Sequence, residues 1–209
     1  MLKLSDPTTC FIDPVSGKLA HATGRYEKRL ADLAGLYRDE KAFDALAARE
    51  SDRVVYAVEE FRPTEATGDL IFGVTHMEPG AVSGEYFMTR GHIHKLGNRP
   101  EIYQGLSGEG LMLMESPQGE TRIVEIRPHA VCYVPPFWIH RSVNTGSGPF
   151  VMFFCYPSDS GQDYEIIARS GGMRSRIFAD GKGGWVEREN DLYRPRTSQE
   201  IDAVAQSAA

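Results

Sequence analysis

The chain has 209 residues, 41% hydrophobic and 25% charged, with a formal net charge of −6. This is the composition of one globular domain that buries a core without disulfides. No apolar run approaches the ~20 residues of a membrane span, and no block of Lys and Arg marks a nucleic-acid footprint.

Cys10, Cys132 and Cys155 are odd in number and lack metal-knuckle spacing, so they read as reduced thiols. The opening MLKLSDPTTC lacks the basic and apolar regions of an export leader, so a cytoplasmic protein is expected. Residues 24–50, GRYEKRLADLAGLYRDEKAFDALAARE, are rich in helix formers and predict one or two short helices. Leu30, Leu33, Ala34 and Tyr37 would form one apolar stripe, and Phe43, Leu46 and Ala47 another. Thr23 would cap the first helix, and Gly35 would weaken its middle.

From RVVYAVEEF onward the pattern changes to β-branched and aromatic runs between Gly and Pro. Strands are predicted at 54–61, 70–78, 85–90, 101–106, 110–115, 121–126, 131–134, 138–143, 149–156 and 174–179. SPQGE and NTGSG read as hairpin turns. Many short strands without intervening helices imply an all-β antiparallel sandwich or barrel rather than a parallel sheet. The tail RPRTSQEIDAVAQSAA has few apolar anchors and is expected to fray. The expected division is a helical extension at 1–52, the β-barrel at 53–190 and a flexible tail at 191–209.

The stretch FMTRGHIHKLGNRPEIYQGLSGEG, residues 87–110, carries the chemistry. On a strand, residues i and i+2 share a face about 6.6–7 Å apart, so His92 and His94 can converge on one ion while Ile93 points the other way. After the KLGNRP turn, alternation puts Glu101, Tyr103 and Gly105 on one face, which adds a carboxylate if that face meets the imidazoles. A fourth ligand must come from elsewhere. His21 and His129 read as surface residues, and His76 is strand-borne and could line a cavity. His140, in VCYVPPFWIHRSVN, follows a rigid Pro-Pro step on a strand aimed inward. Three neutral imidazoles and a carboxylate suit Fe(II), Mn(II), Ni(II) or Zn(II), and suit Mg or Ca less well.

GHIHKLGNRPEIY followed by YVPPFWIHRSVNTG resembles the two motif blocks of the cupin superfamily. GVTHMEPG, EYFMTRGH, GEGLMLMESPQGE and CYPSDSGQDY narrow the likeness to the cupin-type glucose-6-phosphate isomerases, over about residues 50–180. The resemblance implies an antiparallel jelly roll and interconversion of an aldose phosphate with its ketose. It implies one divalent metal, foremost Fe(II), on His92, His94, Glu101 and His140, with Glu101 also moving the proton. Thr89 and Gly91 match positions near the substrate phosphate; Tyr103, Tyr156 and Tyr164 match the sugar pocket, with Thr75 beside them. Arg90 or Lys95 would add charge for the phosphate, Arg90 sharing a strand face with His92 and His94. Gln162 stands where family members carry His; it can hydrogen-bond but cannot shuttle a proton at neutral pH.

The same ligand set also serves non-haem dioxygenases, mannose-6-phosphate isomerases and non-catalytic sugar-binding cupins. A dioxygenase would consume oxygen, whereas an isomerase runs without it. The expected partners are a small sugar phosphate and a second copy of the chain in a homodimer, with no nucleic acid and no membrane.

Overall fold

A computed structural model describes residues 6–64 and 66–207. In chain order the strands are β1 (Gly24–Arg29), β2 (Val54–Phe61), β3 (Leu70–Met77), β4 (Ala81–Val82), β5 (Glu85–Tyr86), β6 (Glu101–Ser107) and β7 (Gly110–Glu115). They continue with β8 (Thr121–Ile126), β9 (Val131–Val134), β10 (Ile139–Asn144), β11 (Phe150–Pro157), β12 (Ser175–Ala179) and β13 (Trp185–Glu189). The helices are α1 (Glu40–Glu50), α2 (Glu165–Arg169) and α3 (Ser198–Gln206).

All of the ladders between these strands are antiparallel. One sheet runs β1-β2-β3-β11-β6-β9, a second β10-β7-β8, and a third β13-β12-β5-β4. The first two face each other. Asn144 on β10 donates to the Met77 carbonyl of β3 at 3.0 Å. A Cβ at Gly110 on β7 would stand 2.4 Å from the Phe150 ring of β11, so only glycine permits that approach. Their inner faces make the core, with Met112, Ile126, Phe150 and Met152 fully buried. The ladders do not close into a continuous barrel among the described residues, so the fold is an all-β antiparallel jelly roll of facing sheets.

Three local expectations are corrected. The segment from Gly24 is not helical: it is β1, paired with the outer edge of β2, with Tyr26 opposite Val58 and Arg25 opposite Glu59. Its helix propensity yields to six residues of cross-strand pairing. Leu30, Leu33 and Tyr37 are buried as the apolar stripe required, but Leu30–Leu33 is one 3₁₀ turn and Ala34 is exposed. The α-helix starts only at Glu40, where Asp39 accepts from the Ala42 N–H at 2.9 Å.

The second correction concerns NTGSG, which is not a hairpin. β10 and β11 lie in different sheets, and Asn144 turns the chain across the gap by accepting from the Gly146 N–H at 3.0 Å. The third is the tail. Its residues 208 and 209 lie outside the described residues, but Arg196 is buried against Glu115 and Ser198–Gln206 forms α3.

Candidate metal centre and substrate cleft

The centre lies between the two facing sheets. β6 opens on Glu101, and alternation buries Glu101, Tyr103 and Gly105 while Ile102 faces outward. Across the gap β10 carries His140, and the extended segment beside it pairs His92 with His140 through reciprocal backbone hydrogen bonds of 3.0 and 2.9 Å. Ile93 pairs in the same way with Asp163, which leaves the flanking histidines to turn toward Glu101.

Glu101 Oε2 is the point of convergence. It lies 3.0 Å from His140 Nε2, 3.3 Å from His94 Nε2 and 3.8 Å from His92 Nε2. His94 Nδ1 is 2.7 Å from the Arg99 carbonyl oxygen, and His140 Nδ1 is 3.1 Å from that of Trp138. A carbonyl oxygen can only accept, so each Nδ1 carries a proton and donates it. The neutral ring then presents a bare Nε2 lone pair. Two such lone pairs face one carboxylate oxygen, an arrangement that repels unless positive charge sits among them.

Among the described residues, the Nε2 atoms of His92 and His94 are also buried without a hydrogen-bond partner. Ligands about 2.1 Å from one ion and at right angles stand ~3 Å apart. Donor set, orphaned nitrogens and spacing therefore fit a divalent cation. His92, His94 and Glu101 offer ligand atoms within 4.8 Å of one another.

The electrostatics favour the ligating forms. Burial, then the adjoining His140, hold the His92 imidazole well below its ordinary value and hence neutral. Burial by itself raises the Glu101 carboxyl; a proton on the His140 and His94 nitrogens outweighs this and holds the group well below the usual carboxylate range, and a cation among those nitrogens would act in the same direction. Arg99, whose carbonyl orients His94, is anchored by a forked ion pair to Asp159 at 2.8 and 2.7 Å.

Thr75, Thr89, Arg90, Gly91, Tyr103, Tyr156, Gln162 and Tyr164 all line one cleft with His92, Glu101 and His140. His94 closes the far wall, facing a second hollow beneath α3. The Thr89 Oγ1 accepts from the Ser142 N–H at 3.0 Å, leaving its own proton to donate. Tyr164 donates to the Gln162 side-chain oxygen and carries the Arg90 guanidinium 5.0 Å above its ring. Burial, then the Glu101 charge, raise the Tyr103 and Tyr156 phenols far above neutrality, so both remain O–H donors. Burial likewise pushes Tyr56 up to about 12.

Some expectations change here. Residues 87–94 are not a regular strand, because Gly91 sits at φ +72° and breaks the alternation that was to align Arg90 with the histidines. Arg90 nevertheless reaches the cleft. Lys95 does not; it borders the hollow beneath α3. His76 lies on β3 beside Glu78, 3.7 Å away, and His21 and His129 are exposed.

The sequence reasoning missed Tyr26, Tyr56, Glu60, Arg62, Arg141 and Ser142, which also line the cleft. Tyr56, Val58 and Glu60 alternate along β2, a period-2 signal that names one face but not what it faces. Tyr26 could be found only by recognising β1.

A jelly roll that turns imidazoles and a carboxylate inward between its sheets is the architecture of a cupin. Comparison with known proteins narrows this. The sequence model described as "Glucose-6-phosphate isomerase (GPI)" matches residues 27–194. The glucose-6-phosphate isomerase of Sinorhizobium medicae is 58% identical over 204 residues, covering 98% of this chain and 95% of that protein. That of Thermococcus litoralis is 40% identical over 188 residues, covering 87% of this chain and 97% of that protein. The chain belongs to the glucose-6-phosphate isomerase family.

Proposed function

We propose that the chain is a metal-dependent aldose–ketose isomerase interconverting glucose 6-phosphate and fructose 6-phosphate. The observation that carries this reading is the set of bare Nε2 lone pairs converging on Glu101 Oε2 inside a cleft whose lining also offers tyrosine and threonine hydroxyls and arginine side chains. His92, His94, Glu101 and His140 would hold one divalent cation, with Fe(II) foremost and Mn(II), Ni(II) or Zn(II) as alternatives. When bound, it supplies Lewis-acid stabilisation of the charge that develops on O1 and O2 of the open-chain sugar.

The protein's own groups account for the rest. Glu101, ionised at neutral pH, accepts the proton from C2 and returns it to C1. Tyr103 and Tyr156 hold the sugar oxygens by donating O–H bonds that cannot be lost to ionisation near pH 7. Thr75, Thr89, Arg90 and Gly91 receive the phosphate end, and Gln162 and Tyr164 flank the sugar. Gln162 positions but does not transfer a proton, so ring opening uses water or Glu101.

A coupled fructose 6-phosphate assay tests the reading, run without oxygen on metal-stripped protein with Fe, Mn, Ni and Zn added back singly. Activity should return with metal and need no oxygen. Glu101→Gln should lose at least ~100-fold in kcat while remaining folded. Metal-independent turnover, or none with any metal, would overturn the reading. The proton route also places solvent deuterium in the product. Its absence, once internal return is excluded, replaces that route with hydride passage between C1 and C2.

We infer a cytoplasmic homodimer. Cys10, Cys132 and Cys155 are free thiols, in keeping with a reducing compartment. The edge strand β9 presents Val131 and Tyr133 to solvent beside Ile102 of β6, a self-complementary apolar edge that a second copy would cover.

A further inference from the structure

A phosphate dianion needs positive charge, and Arg90 gives little. Its guanidinium lies over the Tyr164 ring and 4.0 Å from the Glu165 carboxylate. Next to His140, however, Arg141 is 5% exposed and forms no ion pair with any described carboxylate. The buried carboxylates whose charge reaches it, Glu85 and Glu115, are already paired with Arg176 at 2.8 Å and Arg196 at 2.6 Å. One positive charge is therefore left uncompensated in the wall of the cleft, an arrangement proteins avoid unless an anion answers it.

The Arg141 donors show how it acts. Nη1 meets the Met88 sulfur at 2.8 Å, a weak acceptor, and Nε has no partner among the described residues. Nη2 donates to the Arg90 carbonyl oxygen at 2.7 Å. That carbonyl belongs to the Arg90–Gly91 peptide, which is trans, so the Gly91 N–H points away from the guanidinium. Among the described residues this N–H has no acceptor. The Arg141 Cβ would lie 2.9 Å from a Cβ at Gly91, so arginine and peptide are packed face to face. Thr89 beside them has a hydroxyl proton to give.

We propose that Arg141 is the positioning residue for the substrate's phosphate monoester: it clamps the Arg90–Gly91 peptide with its N–H toward the cleft and supplies the dianion's countercharge from behind that wall. The proposal rests on the isomerase reading for its substrate, but not for its chemistry, since any phosphate dianion should respond.

The test uses full-length, metal-loaded protein as wild type, Arg141→Met and Arg141→Lys. Inorganic phosphate binding is measured by calorimetry, kcat and KM with fructose 6-phosphate, and metal content by elemental analysis. In Arg141→Met the phosphate Kd and the KM should rise together by about tenfold or more, kcat should fall by less, and metal content should hold. Arg141→Lys should recover part of the loss, because an ammonium keeps the charge but lacks the fork.

A folded Arg141→Met with wild-type Kd and KM overturns the proposal, as does a fall in kcat alone. Should Arg141→Met not fold, Arg141→Lys decides: a phosphate Kd weakened by about threefold or more at full metal content supports the proposal, and an unchanged Kd overturns it. Wild-type protein that binds phosphate through Arg141 but does not turn over fructose 6-phosphate would overturn the isomerase reading instead.

Discussion

A methyl group at position 91 would meet Arg141 Cβ, the His140 carbonyl oxygen and Ile167 Cδ1, each at 2.9 Å, from a backbone already at φ +72°. Gly91→Ala therefore combines left-handed strain with a clash against backbone. It should lower stability by about 2 kcal/mol or more in urea unfolding and raise the KM for fructose 6-phosphate. The sequence suggested this glycine for a close approach to phosphate; the packing behind it gives a second and stronger reason. The convergence of residues that spacing alone brings together was legible, such as His92, His94 and Glu101, because two positions on one extended segment and the start of the next strand are near neighbours by construction. Arg141 was not. It follows His140 in the sequence, but its meaning depends on Glu85 and Glu115 being paired to other arginines, a relation that no spacing encodes.

At the scale of elements, the strands from β2 to β12 were legible wherever β-branched and aromatic runs met Gly or Pro breaks, except the two-residue β4, and β5 is shorter than the expected 85–90. β1 was not, because GRYEKR has helical propensity and becomes a strand only through its partner. α3 had a signal that went unread: Thr197-Ser-Gln-Glu200 is a capping box, with Thr197 accepting from the Glu200 N–H and Glu200 reaching back. Apolar burial could not reveal the helix, since none of its residues is fully buried. It is held instead by Ser207, whose hydroxyl accepts from the Gly97 N–H at 3.1 Å, and by Arg196 just before the cap. The Arg196–Glu115 pair is 2.6 Å long and nearly solvent-free, and Glu115 also accepts from the Arg174 N–H at 2.6 Å. Arg196→Ala strands a buried carboxylate and should cost about 3–5 kcal/mol in urea unfolding. Replacing both partners, Arg196→Met with Glu115→Gln, should cost clearly less than Arg196→Ala. An equal cost would mean that the charge is not what the pair contributes.

The two sheets of the jelly roll meet at the centre through opposed groups: Glu101 belongs to the six-stranded sheet, and His140 to the three-stranded one. Without a cation, the carboxylate and the imidazole lone pairs push these sheets apart at the point where the core is most polar. With one, the same contacts become a bridge between sheets. Ligation should therefore stabilise the whole fold rather than the site alone, by RT ln(1 + [M]/Kd), or about 2.7 kcal/mol when free metal exceeds Kd a hundredfold. For a chain of this length that corresponds to a fall of about 5–10 °C in Tm when a chelator removes the ion. Hydrogen exchange should locate the loss, with protection falling first in β6 and β10, the strands that carry Glu101 and His140. Glu101→Gln removes one ligand and the repelling charge together, so its Tm should respond much less to the chelator than that of the wild type. A chelator that leaves wild-type Tm and exchange unchanged would mean that the two sheets need no ion between them, and the lone-pair argument for the metal centre would fail with it.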